Sequence, residues 1–216
     1  FGTAVFAQSS IRKIAFPKVV DDDGKVQRIT FSTSGSSLFN SCKHLEEVYL
    51  SSSVQSIANI FDYSSVKKIT IEEGHTAFKL DEKGELLTDR DGTNIILILG
   101  EITGKYIIPE GVVQISDNAF KNQASMTGVY IPKSVKYIGD YAFDSCYSLT
   151  DVEFADEVEL ESLGAGAFAK CSSLKKITLP NVIEVGDNSK PSQAYSGIFG
   201  YCLNLEEVTL SDDMET

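Results

Sequence analysis

The 216-residue sequence has no tryptophan, only two histidines and no long apolar run. Its longest apolar run, residues 95–99, has five members, whereas a helix that spans a membrane needs about 18. Residues 1–6 lack the basic segment and sustained apolar stretch of a signal peptide. The sequence therefore predicts no membrane insertion by this segment.

Basic residues are also scarce. The chain carries 31 acidic against 19 basic residues, which gives a net charge of −12. It has no basic block interleaved with aromatic residues, and an acidic chain repels phosphate backbones. The sequence thus argues against nucleic acid as a partner, and the charge is typical of a soluble protein.

The motifs of common hydrolases and nucleotide-binding proteins are missing. Neither of the histidines, His44 and His75, lies in an H-E-x-x-H motif, and no G-x-S-x-G or G-x-x-x-x-G-K-[ST] occurs. Adjacent acidic residues such as Glu46 and Glu47 face opposite ways on a strand, so they form no acid–base pair. The sequence predicts no catalytic residues, no cofactor and no enzyme activity.

Two acidic turns are the best candidates for a metal site. Residues 21–24 and 89–92 are rich in carboxylates followed by glycine. A complete calcium-binding loop also needs a glutamate six residues after the glycine. Thr30 and Ile98 occupy those positions. The sequence therefore predicts no specific metal site, and it leaves open only a weak calcium site at these turns.

What the sequence does contain is a repeat. A phenylalanine recurs, and five or six residues later an L-x-x-V-x-L run begins. The successive run starts Thr103, Met126 and Leu149 are each 23 residues apart, which falls in the range of leucine-rich repeats. The repeated phenylalanines are Phe6, Phe39, Phe61, Phe120, Phe143, Phe168 and Phe199.

Within each run, apolar and polar residues alternate, as a half-buried strand requires. A second apolar pair follows most runs, and Pro109, Pro132 and Pro180 end their strands because proline cannot donate to a ladder. The predicted fold is an α/β leucine-rich-repeat solenoid. We expect a curved parallel β-sheet on its concave face, with short strands and short helical or 3₁₀ turns elsewhere.

The four cysteines share one position in the repeat. Cys42, Cys146, Cys171 and Cys202 each lie three residues after a repeated phenylalanine, and Ser9, Ser64 and Gln123 fill the same position in other repeats. This indicates a small packing position and free structural thiols. Disulfides between neighbouring repeats and metal ligation are the alternatives.

One long interval in the repeat predicts an insertion. Residues 85–88 and 94–98 are apolar strand-formers that flank an Asp-Gly turn, a strong hairpin signal. We expect one β-hairpin insertion near residues 78–100. Residues 1–216 are otherwise expected to form a single domain of about eight repeats that is part of a longer chain.

The most regular stretches, residues 108–120 and 131–146, resemble the BspA-like type of leucine-rich repeat. They follow its pattern L-x-x-V-x-I-P-x-x-V-x-x-I-G-x-x-A-F-x-x-C, with proline, Ala-Phe and cysteine in register. The resemblance covers nearly the whole chain. It implies a secreted or cell-surface protein of host-associated microbes that adheres to a protein ligand, such as host extracellular matrix or other cells.

The third and fifth residues of each run should point outward on the concave face. This face mixes both charges with tyrosine, which suits protein recognition. The alternative function is a structural spacer that presents another domain. The candidate ligand-binding residues are Lys13, Tyr49, Lys68, Tyr130, Asp151, Glu153 and Lys176.

Overall fold

The computed structural model describes residues 6–29, 31, 38–39, 41–57, 60–61, 64, 66–186 and 197–210. The chain divides into two compact units. Unit 1 comprises Phe1–Asp91 with Ile98–Gly100, and unit 2 comprises Gly92–Leu97 with Glu101–Thr216. The expectation of a single domain over residues 1–216 stays a prediction, and residues 1–5 lie outside the described residues.

Among its described residues, unit 1 forms two sheets. The first is parallel, and neighbouring strands pair in register. Its strands are β1 (Lys13–Phe16), β2 (Glu47–Leu50) and β3 (Lys68–Ile71). The second is an antiparallel pair of β4 (Phe78–Leu80) and β5 (Leu86–Asp89).

Unit 2 contains the longer parallel ladders, which are built from short strands. The strands are β6 (Asn94–Ile98, whose last residue belongs to unit 1), β7 (Gly104–Ile107), β8 (Gln114–Ile115), β9 (Met126–Ile131), β10 (Tyr137–Ile138), β11 (Asp151–Phe154), β12 (Glu159–Leu163), β13 (Lys176–Leu179), β14 (Asn181–Val185) and β15 (Glu207–Leu210). They pair in the orders β6-β8-β10-β12-β14, β7-β9-β11 and β13-β15.

The predicted alternation of buried and exposed residues is confirmed in most strands of these sheets. In β2, Val48 and Leu50 are 3% and 0% exposed, whereas Tyr49 between them is 37% exposed. In β13, Ile177 and Leu179 are buried and Lys176 is exposed. Since side chains alternate across a strand, one face of each sheet packs on the interior and the other faces outward.

The repeated phenylalanines stack on one another inside each unit. In unit 1 the rings of Phe6 and Phe39 have centroids 5.4 Å apart, and those of Phe39 and Phe61 are 5.7 Å apart. In unit 2 the stack runs through four rings at separations of 4.9, 5.1 and 6.0 Å. Its members are Phe120, Phe143, Phe168 and Phe199.

The expectation of helical or 3₁₀ turns at these phenylalanines is wrong, and so is the α/β class. In the part of the chain that the structure describes there is no helix, and each phenylalanine lies in a plain turn. The second residue after the phenylalanine has a positive φ, between 58° and 66°, which ends a right-handed helix at once. These residues are Gln8, Ser41, Asn122, Ser145, Lys170 and Tyr201.

Two kinds of hydrogen bond hold these turns. The Phe143 N–H donates to the carbonyl of Ala167 at 2.7 Å, and the Ser145 N–H donates to that of Ala169 at 2.9 Å. Alternate backbone donors therefore reach the next repeat, while those between them bond within their own turn, as the Asp144 N–H does to the Tyr141 carbonyl at 3.0 Å. Backbone groups satisfied by neighbouring repeats make the turns a third ladder beside the two sets of strands.

Both strand-formers of the predicted hairpin insertion form strands, β5 and β6. The Leu99 N–H donates to the Glu85 carbonyl at 2.8 Å, and Gly92 in the turn has a φ of 81°. The sequence missed β4, which pairs with β5 across the turn at residues 81–84. Asp81 holds that turn because its Oδ1 accepts from the N–H of Glu85 at 2.7 Å.

Candidate functional site

The outer sheet face is the set of third and fifth residues of the strand runs. In unit 1 its members form two rows across β1, β2 and β3. One row carries Lys13, Glu47 and Lys68, and the other Ala15, Tyr49 and Thr70. Lys13 Nζ lies 2.9 Å from Glu47 Oε1, so the charges of the first row offset one another and Tyr49 is the large exposed group beside them.

In unit 2 the outer sheet face of β7, β9 and β11 is organised around one lysine. Lys105 Nζ lies 3.2 Å from Asp151 Oδ2 and 2.5 Å from Glu153 Oε2. The hydrogen bonds to Glu153 and Asp151 raise the pKa of Lys105 above its usual value. The sequence identified both carboxylates as candidates but did not select Lys105, which lies two strands away.

A glycine lets this lysine cross the middle strand. Gly128 stands between Lys105 and Asp151 in the row that crosses β7, β9 and β11. A Cβ on Gly128 would lie 3.2 Å from Lys105 Cγ, closer than ordinary van der Waals contact. The missing side chain therefore gives the lysine a path to the two carboxylates on β11.

The neighbouring row of the same sheet combines apolar, aromatic and acidic side chains. Ile107, Tyr130 and Glu153 lie in register on β7, β9 and β11. Ile107 is 68% exposed, an unusual degree of exposure for a large aliphatic residue on a sheet. Tyr130 is half-buried between its two neighbours. This row is the most apolar part of the outer sheet face in unit 2.

The remaining candidate, Lys176, lies on β13, in register with Glu207 of β15. In the described part of the chain, β11 and β13 are not paired, although β12 and β14 of the same two repeats are. An open groove of about 1140 Å³ lies at this interruption. Asp151, Glu153 and Lys176 all line it, so three of the predicted candidates meet at one place.

The repeats on the two sides of the interruption differ in chain length. Nine residues lead from Phe154 at the end of β11 to Leu163 in β12, but only six lead from Leu179 to Val185 in the next repeat. Leu163 and Val185 are nevertheless held in register, so the three additional residues lie between β11 and β12, where residues 155–159 line the groove. The sequence shows this difference in the spacing between the strand and the second apolar pair.

The cysteines line the interior beside the phenylalanine stack. All four are buried and none forms a disulfide. Each thiol donates to the carbonyl of the phenylalanine one repeat earlier, as Cys146 does to Phe120 at 3.2 Å and Cys171 to Phe143 at 3.3 Å. Hydrogen bonding with Cys146 and burial raise the pKa of Cys171. These thiols act as interior packing and hydrogen-bonding groups.

Two polar features could have had a catalytic or metal-binding role, namely the buried His75 and the acidic turn at Asp21. Both have local structural partners. His75 is 1% exposed, and its Nδ1 accepts from the N–H groups of Ala77 and Phe78 at 3.1 and 3.2 Å. Asp21 accepts from the Lys25 N–H at 2.8 Å. Among the described residues, no group of three histidine, cysteine or acidic side chains could hold a metal ion.

No helix in the described part of the chain has the length and apolar character needed to cross a membrane.

The sequence matches a family model described as the BspA type leucine rich repeat region. Six copies of the repeat cover residues 1–81 and 102–216. No curated protein matches the sequence significantly.

Solved structures share the fold at low sequence identity. The pneumococcal vaccine antigen PcpA is 20% identical with a TM-score of 0.69, over 95% of this chain and 52% of that one. A leucine-rich repeat protein from Eubacterium ventriosum is 21% identical with a TM-score of 0.66, over 97% and 57%. A leucine rich cell surface protein from Faecalibacterium prausnitzii is 21% identical with a TM-score of 0.59, over 94% and 61%. The chain thus spans a little over half the length of these proteins.

Proposed function

The chain belongs to the BspA-type leucine-rich repeat family, and from that premise we propose that it is a non-enzymatic protein-binding module. It adheres to a protein or matrix ligand, such as host extracellular matrix or a cell surface, through the outer sheet face. The module is part of a secreted or cell-surface protein. Leucine-rich repeats commonly bind proteins on an extended sheet surface.

The observation that carries this proposal is the exposure of aromatic and aliphatic groups on a sheet whose backbone is fixed by pairing. Tyr49 and Ile107 are 37% and 68% exposed, and each lies in register with neighbouring strands. A side chain on a rigid sheet loses little conformational entropy when a partner covers it. Tyrosine also supplies a large apolar surface with one polar group, which favours protein interfaces.

The names of two structural neighbours support an extracellular or cell-surface location for this chain. One is named a vaccine antigen and another a cell surface protein. An extracellular or surface location of this chain is consistent with them, and it would bring the outer sheet face into contact with host or microbial proteins.

Surface plasmon resonance against a panel of extracellular matrix proteins tests the proposal. Wild type is immobilised beside Tyr49→Ala and Tyr130→Ala, which remove one aromatic group from the outer sheet face of each unit. Tyr147→Ala is the matched control, since Tyr147 is 49% exposed but belongs to no strand. We expect binding by wild type and by the control, and a loss of about tenfold or more in at least one of the other variants.

A structural spacer that presents another domain is the competing function. In that case the wild-type protein would bind no member of the panel. Binding that all three tyrosine variants retain equally would place the ligand elsewhere on the chain and contradict the outer sheet face as the binding surface.

A further inference from the structure

We propose that a cleft on the outward face of β8, β10 and β12 binds an arginine side chain of a partner protein. The cleft has a volume of about 320 Å³, near the lower end of the range for ligand sites, so it accommodates one long side chain. It lies in unit 2, on a different sheet from the outer sheet face. The inference therefore goes beyond the proposed function and adds a second binding surface.

One wall of the cleft is a row of side chains that crosses the three strands. Gln114, Tyr137 and Ser162 lie in register on β8, β10 and β12. Tyr137 is 38% exposed, and its hydroxyl donates to a carboxylate oxygen of Glu161 on β12. This hydrogen bond restrains the tyrosine ring, so a group that stacks on the ring meets a surface that is already ordered.

The opposite wall carries two carboxylates from successive repeats. Asp117 Oδ1 accepts from the Asp140 N–H at 2.9 Å, and Asp140 Oδ1 accepts from the Ala165 N–H at 2.8 Å. Each carboxylate is therefore held in place by the backbone of the next repeat. In the part of the chain that the structure describes, Asp140 forms no ion pair and its Oδ2 accepts no hydrogen bond. That oxygen is left to accept from a ligand.

The floor between the two walls has no side chain that would fill the cleft. Ile138 is 1% exposed and points inward, and Gly139 follows it. A Cβ on Gly139 would lie 2.5 Å from Asp117 N, so glycine also lets the two repeats pack this closely. The space between the Tyr137 ring and the Asp140 carboxylate is therefore open to an incoming side chain.

Charge and shape together select arginine. The described residues that line the cleft include two carboxylates but no lysine or arginine. In the groove between β11 and β13, by contrast, Lys133 and Lys136 pair with acidic residues. The cleft therefore attracts a cation from outside the chain. A guanidinium is flat enough to stack on the Tyr137 ring, and its N–H donors match a carboxylate beside that ring.

An exposed aliphatic side chain on the same sheet favours a protein as the source of the arginine. Ile183 lies on β14, which pairs with β12, and it is 78% exposed. In protein interfaces, an arginine anchor is surrounded by contacts that exclude water. The residues beside the arginine of a partner protein would cover Ile183, which a small free cation would leave exposed.

Titration of the isotope-labelled chain with short peptides, followed by heteronuclear NMR, tests the inference. The probe is acetyl-Ser-Gly-Arg-Gly-Ser-amide, and two matched peptides replace the arginine by lysine or by citrulline, which is neutral and has nearly the same shape. We expect the arginine peptide to shift the amide signals of Gly139, Asp140 and Ala165. It should bind about threefold or more tightly than the lysine peptide and about tenfold or more tightly than the citrulline peptide at low salt.

Two variants locate the binding. Asp140→Asn removes the negative charge but keeps an oxygen that accepts from the Ala165 N–H, and it should weaken binding of the arginine peptide about five- to tenfold. Tyr137→Leu removes the ring and should weaken it about two- to fivefold. Asp156→Asn is the matched control, because it makes the same charge change at an exposed residue outside the cleft. It should change the affinity less than twofold.

Other outcomes overturn the inference. Equal binding of the arginine and lysine peptides would indicate charge attraction alone, and equal binding of the citrulline peptide would make a neutral polar group the ligand. Full affinity in both Asp140→Asn and Tyr137→Leu would place the peptide elsewhere. Concentration-dependent shifts of the same signals without peptide would make a second copy the occupant.

The test is independent of the proposed function. Tyr49→Ala and Tyr130→Ala should bind the arginine peptide as wild type does, because neither residue lines the cleft. If no arginine peptide binds while the matrix panel still gives binding that depends on these two tyrosines, the cleft is wrong and the proposed function stands.

Discussion

Unit 1 and unit 2 contain the same stack of phenylalanine rings, but they differ in how closely it is packed. The separations on either side of Phe143 in unit 2 are 4.9 and 5.1 Å, with 6.0 Å between Phe168 and Phe199, and those in unit 1 are 5.4 and 5.7 Å. Phe39 and Phe143 are fully buried, whereas Phe61 and Phe199 are half-buried. The burial of a ring therefore depends on its place in the stack, and the repeat pattern alone does not set the packing.

The two units differ in one buried polar group. Both enclose thiols that donate to phenylalanine carbonyls, but unit 1 also encloses His75 among backbone donors and acceptors. An imidazole changes its charge near neutral pH, whereas the thiols of Cys171 and Cys202, whose pKa is raised by hydrogen bonding to a neighbouring cysteine and by burial, stay neutral there. The comparison teaches that the units should respond differently to truncation and to acid.

The largest expected difference comes from removing a ring. Phe143→Ala leaves a cavity between two stacked rings and should lower the free energy of unfolding of unit 2 by about 3–5 kcal/mol. Phe61→Ala removes a half-buried ring and should cost unit 1 only about 1–2 kcal/mol. Hydrogen exchange read separately in the two units measures both losses.

Equal losses at the two positions would contradict the difference in packing. Phe143→Leu is the matched control, because it keeps an apolar side chain in the stack while removing the ring. It should recover part of the loss.

Close contact between backbones in unit 2 gives the next effect. A Cβ on Gly164 would lie 2.5 Å from Asp140 N and 2.7 Å from Gly139 O, and backbone atoms cannot move aside as a side-chain end can. Gly164→Ala should therefore lower the free energy of unfolding by about 1–3 kcal/mol. A thermal melt followed by circular dichroism measures the loss.

Gly197→Ala provides the comparison within the same unit. The nearest atom to a Cβ there is Gly200 N at 3.9 Å, so this substitution should change the melting temperature little. A similar loss in both variants would show that glycine acts through backbone flexibility instead of close contact.

The sequence predicted the strands, the buried columns and the phenylalanine interior, because these depend on alternation and on large apolar residues at regular spacing. It did not predict the turn geometry. Left-handed residues such as Asn122, Ser145 and Lys170 are not marked by glycine, and their conformation is imposed by hydrogen bonds to the next repeat. A backbone conformation that is imposed by the neighbouring repeat cannot be predicted from the local propensities of one repeat alone.

The candidate surface shows the same division. Alternation alone placed Asp151, Glu153 and Lys176 on the outer sheet face. Their meeting at one groove depends on which strands of successive repeats pair, since β12 pairs with β14 whereas β11 and β13 are not paired among the described residues. The position of Lys105 across Gly128 likewise depends on which strands become neighbours. The pattern of one repeat therefore predicts which residues lie on the outer sheet face, but it does not predict which of them contact each other between repeats.

A smaller effect distinguishes the units by pH. Burial lowers the pKa of His75 below 6.5, opposed by the Ser51 carbonyl and Glu72 and assisted by Arg90. The unfolded chain then binds a proton more readily than the folded unit as the pH falls below about 6.5. Unit 1 should accordingly lose stability between pH 7.5 and 5.5, measured by hydrogen exchange, while unit 2 changes little.

His75→Asn separates this titration from general acid sensitivity. Asparagine keeps an acceptor for the Ala77 and Phe78 N–H groups but does not titrate. The variant should be less stable at pH 7.5 because of its smaller side chain, and it should show a flatter pH dependence. An unchanged slope would assign the pH response to another group.

The smallest expected effect concerns the lysine that crosses the outer sheet face of unit 2. Lys105→Gln removes the partner of Asp151 and Glu153, yet exposed ion pairs contribute little to folding. Its melting temperature should match that of wild type, in contrast to Phe143→Ala. The two carboxylates would then be left without their lysine, so affinity for a labelled lysine-rich peptide, measured by fluorescence anisotropy, should rise, and more so at low salt. Lys133→Gln is the control, because Lys133 forms an ion pair with Glu157 on the groove between β11 and β13. It tests whether the loss of any lysine near the groove raises the affinity for the peptide.

A lower melting temperature for Lys105→Gln would contradict this prediction. It would show that ion pairs on the outer sheet face stabilise the fold, and the difference in stability effect between interior and surface substitutions would be smaller than proposed.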